Sequence, residues 1–355
     1  MALIHGGDTE GYRLEYGRLP LDFSANCNPL GVPEAVQEAI CNAAAYADTY
    51  CDPLCRELCC ALSQHLNILP EQILCGNGAA DLIYRLALAL KPKTALITIP
   101  TFAEYELALA TVDCRVKKHK LEQAAGFRVT ERILEDIKQG VEILFLCNPN
   151  NPTGLTVDIG LLECILKVCK NKGTLLVVDE CFNGFLAEPQ KHSLINKLVE
   201  NDNLMIIDAF TKLYGMAGVR LGYCLCNNKV LLEKMSAAGQ PWAVSALAQA
   251  AGIVALQENA YIGDSRKLIQ TEKDFLLEGL QAFDIKVQGS EANYIFFYSK
   301  ITNLAEKLCN WGILIRDCSN YEGLCSGYYR IAVRRHDENM RLLAALEELA
   351  GEHNA

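Results

Sequence analysis

Short apolar runs alternate with longer stretches of helical period through the middle of the chain. Thr94 to Ile99, Ile143 to Cys147, Thr174 to Val178 and Leu204 to Ile207 are strand-like, bounded by polar or turn-forming residues. Between them, Ala79 to Leu90 and Leu161 to Cys169 repeat apolar residues three and four apart, which predicts helices. In the first, Leu82, Ile83, Leu86 and Leu90 should share one face, and Asp81 and Arg85 should pair at i, i+4. This alternation predicts a largely parallel sheet covered by helices. After about residue 257 the pattern changes to long helices, Tyr261 to Phe283 and His336 to Leu349, around strand candidates Tyr294 to Tyr298 and Tyr329 to Val333. The expected organisation is an N-terminal arm over residues 1–27, a small α+β domain from 28–44 and 258–355, and a large α/β domain over 45–257.

The 355 residues are 51% apolar and 21% charged, which excludes a mainly disordered chain or a bare coiled coil. A net charge of -10 argues against nucleic acid or an anionic membrane as partner. No run of about 18 apolar residues occurs, and no basic stretch followed by an apolar one opens the chain, so the expected location is the cytoplasm. The 17 cysteines are an odd number scattered through apolar runs and read as reduced core thiols. Cys51, Cys55 and Cys59 are spaced i, i+4, i+8, which stacks them along a helix face beside Cys60 instead of closing them around an ion; no metal site is expected.

Four features fall at the carboxyl ends of predicted strands, where open α/β sheets place ligands. Cys75-Gly76-Asn77-Gly78-Ala79 is a turn entering a helix, suited to a phosphate but equally to an ordinary tight turn. It is not a dinucleotide fingerprint, because Asp81 stands at the third glycine position, and no GxxxxGK[ST] occurs. Asn148-Pro149-Asn150-Asn151-Pro152-Thr153-Gly154 makes a rigid turn. Asp179-Glu180 ends a buried run, where a carboxylate needs a cation or donors, or caps the next helix. Thr211-Lys212 precedes Gly215, Gly218, Arg220 and Gly222; a lysine taken alone would be a solvated surface charge.

Taken together, Asn151-Pro152-Thr153-Gly154, Asp179 28 residues beyond Asn151, and Lys212 with Arg220 eight residues later resemble the fold-type I pyridoxal-phosphate (PLP) enzymes. Within them the chain resembles the branch of histidinol-phosphate aminotransferase and threonine-phosphate decarboxylase, and is closer to the latter. His5-Gly6-Gly7, Leu21 to Asn26, Asn28-Pro29-Leu30-Gly31, Phe102-Ala103-Glu104-Tyr105, Pro241-Trp242 and Ile315-Arg316 through Asn320-Tyr321 to Tyr328-Tyr329-Arg330 carry that likeness. It implies a large domain with a mostly parallel seven-stranded sheet between helices, and a smaller α+β C-terminal domain.

The resemblance also implies roles. Lys212 would hold the PLP aldehyde and shuttle a proton, and Asp179 would keep the pyridine nitrogen protonated. Asn151 would donate to the phenolic oxygen and Phe102 would stack on the ring. Gly78-Ala79, Thr211 and Arg220 would hold the cofactor phosphate. Tyr50 would reach the phosphate of a neighbouring subunit, implying a homodimer with shared sites. His5, Asn26, Arg316 and Arg330 would bind a small phosphorylated amino acid. Two positions depart from the aminotransferases: Phe182 stands where they carry a tyrosine, which favours decarboxylation, and Ala209 stands where a Ser or Thr usually meets the cofactor phosphate. The implied activity is decarboxylation of L-threonine O-3-phosphate to (R)-1-amino-2-propanol O-2-phosphate for cobalamin. The rivals are an aminotransferase of histidinol phosphate or a related amino acid, and a catalytically silent PLP-fold binding protein.

Overall fold

The longest apolar runs become adjacent strands because each can bury both its faces only between layers of helix. In the computed structural model, which describes residues 5–283 and 285–354, β1 spans Leu21–Asp22, β2 Ile73–Gly76, β3 Thr94–Ile99, β4 Arg115–Lys120, β5 Ile143–Cys147, β6 Leu175–Asp179, β7 Leu204–Ala209 and β8 Gly222–Cys226. Strands β2 to β8 form a seven-stranded sheet of order β2-β8-β7-β6-β5-β3-β4. In it, β8 runs antiparallel to both neighbours and every other pair is parallel. Leu144 and Leu146 pack into one apolar cluster while Ile143, Phe145 and Cys147 pack into another, so the two sheet faces own separate cores.

Two of the four strands anticipated in the large sheet have the anticipated bounds. The others differ at their ends: β6 lies one residue further on, and β7 continues two residues to Ala209, which pairs with Gly222. The helix anticipated over Leu161 to Cys169 spans Ile159–Lys172, because the Asp158 side chain accepts from the N–H groups of Gly160 and Leu161 and Gly173, at φ 69°, closes its far end. In the helix Gly78–Leu90 the Asp81–Arg85 ion pair forms at 2.9 Å, and Leu82, Ile83 and Leu86 are fully buried. Leu90 is not on that buried face; it is the last helical residue and is 37% exposed. Another correction concerns Cys51, Cys55 and Cys59. Pro53 and the Asp52 carboxylate, which accepts from the Arg56 N–H at 2.7 Å, start the helix at Arg56, so only Cys59 and Cys60 are helical. Cys55 precedes it at φ 51°, and Cys59 Sγ lies 3.8 Å from Cys75 Sγ. Among the described residues no group of three or more His, Cys, Asp or Glu could hold a metal ion, and no helix is long and apolar enough to cross a membrane.

The smaller lobe contains β9 (Ile285–Gly289), β10 (Tyr294–Ser299), β11 (Ile313–Leu314), β12 (Arg316–Asp317) and β13 (Tyr328–Ala332). Strands β12-β13-β10-β9 form an antiparallel sheet backed by helices Asn259–Leu280 and His336–Asn354. The helix Glu34–Ala44 packs on Ala246–Ala255, and its Val36 lies in a core of the large sheet. Residues 1–4 of the arm, and 284 and 355 of the small domain, lie outside the described residues.

What the sequence suggested was an arm is tied down. It contains a helix, Thr9–Tyr16, then β1, which pairs in parallel with β11. Phe23 follows, fully buried among Ile295, Ile313 and Ile331, and its carbonyl accepts from Ala332 N at 2.8 Å. Phe23→Ala should lower stability by about 3–5 kcal/mol through the cavity it leaves. Loss of the thermal midpoint by several degrees checks this; an unchanged midpoint would mean that the segment is not docked.

Candidate active site

Parallel strands ending at one edge bring distant segments together, and here five of them do so. The turn after β2 delivers Gly78 and Ala79; β3 leads to Phe102, β5 to Asn151, β6 ends in Asp179, and β7 leads to Thr211 and Lys212. Residues from the arm and the small lobe complete a cavity of about 320 Å³. Its lining contains His5, Asn26, Ala79, Phe102, Asn151, Asp179, Thr211, Lys212, Arg220, Arg316 and Arg330. Gly78 stands beside it. Tyr50 does not line it: this residue is 81% exposed, and its ring lies tilted by 33° against Trp242 at 4.7 Å between centroids.

At the deep end, Asp179 is 5% exposed. Its Oδ2 accepts from the Tyr105 hydroxyl at 2.6 Å and its Oδ1 from the N–H of Cys181 at 3.1 Å. Tyr105 stacks on Phe145 of β5, and burial followed by the Asp179 charge pushes its pKa well up, so the phenol remains a donor. Burial, with Asp179 as the next cause, likewise keeps the Cys181 thiol neutral. Lys212 Nζ lies 5.9 Å from the centre of the Phe182 ring and 4.0 Å from Cys27 Sγ. Phe182 meets Tyr294 edge-on at 5.1 Å, and the Tyr294 hydroxyl donates to Asn150 O.

Near the helix Gly78–Leu90 the chain builds an anion cradle. Gly78 adopts φ 81°, and a Cβ there would lie 2.6 Å from an Arg220 guanidinium nitrogen. Only glycine therefore lets Arg220 lie across the helix N-terminus, where unpaired N–H groups and the helix dipole favour negative charge. Thr211 adds a hydroxyl to the same cavity. On the small-lobe side, Arg330 donates to Asn151 Oδ1 and, at 2.6 Å, to Ser24 O; its Nε has no acceptor. Asn26 Nδ2 is also buried without an acceptor. Arg316 donates to Asn320 Oδ1 at 2.8 Å and lies 5.0 Å from the Tyr321 ring centre. At the mouth, His5 Nε2 pairs with Glu104 Oε1 at 2.6 Å and its ring sits 5.6 Å from Phe102. A cavity with this surplus of donors and one deep carboxylate fits an anionic ligand that carries a protonated ring nitrogen.

Tyr105, Cys181 and Cys27 were not singled out as site residues from sequence. Tyr105 lies 74 residues from Asp179 on a separate helix, and nothing local marks its hydroxyl as the one that meets the carboxylate.

A sheet edge gathering a lysine, a buried carboxylate and an anion cradle defines a PLP-type α/β enzyme fold, and comparison with known proteins agrees. The chain belongs to the class I and II aminotransferase family, whose model matches residues 20–346, and its fold is the fold-type I PLP-dependent transferase fold. Members of this family in general depend on PLP. Threonine-phosphate decarboxylase of Salmonella typhimurium is 37% identical over 97% of this chain and 96% of its own. The solved structure of histidinol-phosphate aminotransferase from Clostridium acetobutylicum superposes with a TM-score of 0.87 at 28% identity, covering 93% of this chain and 99% of that one. That of L-threonine-O-3-phosphate decarboxylase from Porphyromonas gingivalis gives 0.80 at 25%, covering 92% and 98%.

Gly78→Ala should displace Arg220 and weaken PLP binding about tenfold or more, the scale of one lost charge-assisted hydrogen bond. Titration of the apoprotein with PLP, followed by absorbance, measures it; unchanged affinity would remove Arg220 from the cradle.

Proposed function

We propose that the chain is a PLP-dependent decarboxylase of L-threonine O-3-phosphate, giving (R)-1-amino-2-propanol O-2-phosphate for cobalamin biosynthesis. The observation that carries this reading is the pair of buried arginines, Arg316 and Arg330, lining the same cavity as Lys212, because the substrate brings both a phosphate and a carboxylate. Phe182 supports it by leaving no hydroxyl at the place where the aminotransferases carry one.

When bound, PLP supplies an electron-withdrawing ring that takes up the electron pair left at the substrate Cα when CO2 departs. Thr211, Arg220 and the N-terminus at Gly78-Ala79 would hold its phosphate, Asn151 would donate to its phenolic oxygen, and Phe102 would pack against its ring. Asp179, fixed by the Tyr105 hydroxyl, holds a proton on the pyridine nitrogen. Arg316 and Arg330, with His5 and Asn26, bind the two anionic groups and orient the Cα–carboxylate bond. Lys212 Nζ would hold the aldehyde at rest and, once displaced by the substrate amine, would return one proton to Cα in place of the CO2 lost. Tyr50, exposed on this chain, suits a contribution to a second subunit's cofactor phosphate in a homodimer.

Purified protein given threonine phosphate should release CO2 and an aminopropanol phosphate over many turnovers with no 2-oxo acid present. Lys212→Ala should abolish turnover, and Asp179→Asn should slow it about 100-fold or more. Glutamate formed from histidinol phosphate and 2-oxoglutarate, without CO2 from threonine phosphate, would replace this reading by the aminotransferase one. For the shared site, mixing inactive Lys212→Ala and Tyr50→Ala subunits should recover part of the activity, since one hybrid site holds both intact residues. No recovery despite demonstrated subunit exchange would mean self-contained sites.

A further inference from the structure

Behind the active cavity lies a second, of about 260 Å³, separated from it by Cys181 and Ala209, which line both. Two acids face it from neighbouring strand ends: Glu180, just beyond β6, and Asp208 of β7. Glu180 is 5% exposed; Ser193 and the Leu194 N–H act from nearby to favour its ionised form and Asn183 Nδ2 donates to its Oε2 at 3.4 Å, yet its Oε1 has no donor. Asn183, 6% exposed, uses its amide N–H on Pro189 O at 3.1 Å, and its Oδ1 is also left without a donor. Asp208 accepts from the Tyr223 hydroxyl at 3.0 Å and the Ala209 N–H at 2.6 Å.

The remaining charge does not balance. Arg266 lines the cavity, but its Nε donates to Gly184 O at 2.9 Å, and no cation figures among the groups that set the ionisation of either acid. Burial lowers the pKa of His65, the other basic group in the lining. Water could donate to the two orphaned oxygens, but it brings no countercharge to a pair of adjacent buried carboxyls. Once both acids ionise, two carboxylates against one guanidinium would leave a single uncompensated negative charge, and the orphaned ligands are hard oxygens.

We propose that this cavity binds a small monovalent cation of the alkali-metal, ammonium or guanidinium class, held by Glu180 Oε1, Asn183 Oδ1 and the Asp208 carboxylate. The site is independent of the reaction assigned above. Its pH dependence has a definite sign. Without the ion, burial raises Glu180 to about 8 and Asp208 to about 7, so both acids keep protons in the folded chain that they release on unfolding. Stability then falls as pH rises from the ordinary carboxylate range through these values. Burial keeps Tyr214, Tyr223 and Cys181 protonated throughout this range. A bound cation favours the ionised pair and offsets the loss, so its effect grows with pH.

The test is the thermal midpoint of the full, PLP-loaded chain in choline, potassium and guanidinium chlorides, at millimolar concentration and equal ionic strength. Potassium or guanidinium should raise the midpoint by about 2 °C or more near pH 8.5 and hardly at all near pH 6. Glu180→Gln and Asp208→Asn, both nearly isosteric, should abolish this response. Asp208→Arg, which places a guanidinium on the cavity wall, should raise the alkaline midpoint in choline alone. Identical midpoints in the three salts would overturn the proposal, leaving protons and water as the occupants. A response that survives in both Glu180→Gln and Asp208→Asn would also overturn it, by locating the ion elsewhere.

Discussion

A carboxylate buried at the end of a central parallel strand is tenable only if donors meet it, and Asp179 organises the deep end of the cavity around that demand. The Tyr105 hydroxyl and the Cys181 N–H supply those donors, and both belong to scaffold: the ring of Tyr105 stacks on β5, and Cys181 opens the turn that follows β6. The buried charge is thus held by elements that could not move without disturbing the sheet. Much of what stands opposite it is donor-rich, from the helix N-terminus at Gly78 to Arg330, and the other acid of the lining, Glu104, is paired with His5 at the mouth.

Sequence reading recovered the parts whose information is local. The strands β3 and β5 and the helix Gly78–Leu90 announce themselves by period, and the joint spacing of Asn151, Asp179, Lys212 and Arg220 singles out four residues that the fold brings to one cavity. What escaped depends on long-range pairing. Two-residue strands such as β1 and β11 have no period to read, and the partnership of Tyr105 with Asp179 exists only once the sheet has formed. The cysteine spacing misled for the opposite reason: a helical interval was present, but Pro53 and Asp52 start the helix too late to use it.

Two neighbouring acids, Glu180 and Asp208, stand beside Asp179 at the same sheet edge. All three sit at the ends of adjacent strands, and burial pushes Glu180 and Asp208 far up, because the donors they meet do not offset the solvation they lose. Position at a strand end therefore does not by itself make a charged site; a buried carboxyl stays ionised only where its partners offset the solvation it loses.

The docking of the arm has a mechanical consequence. Phe23 is anchored in the small lobe, whereas five residues on the Asn28 N–H donates to Lys212 O at 3.0 Å and its side chain to Leu213 O at 2.7 Å in the large one. Between these anchors run Ser24 and Asn26, which line the cavity. This stretch works as a tie-rod of fixed length: it sets the distance between the lobe that presents the arginines and the backbone that presents the lysine. Stability resides in its two ends, while the number of residues between them fixes the alignment, so an inserted residue there would leave both lobes folded and the cavity out of register.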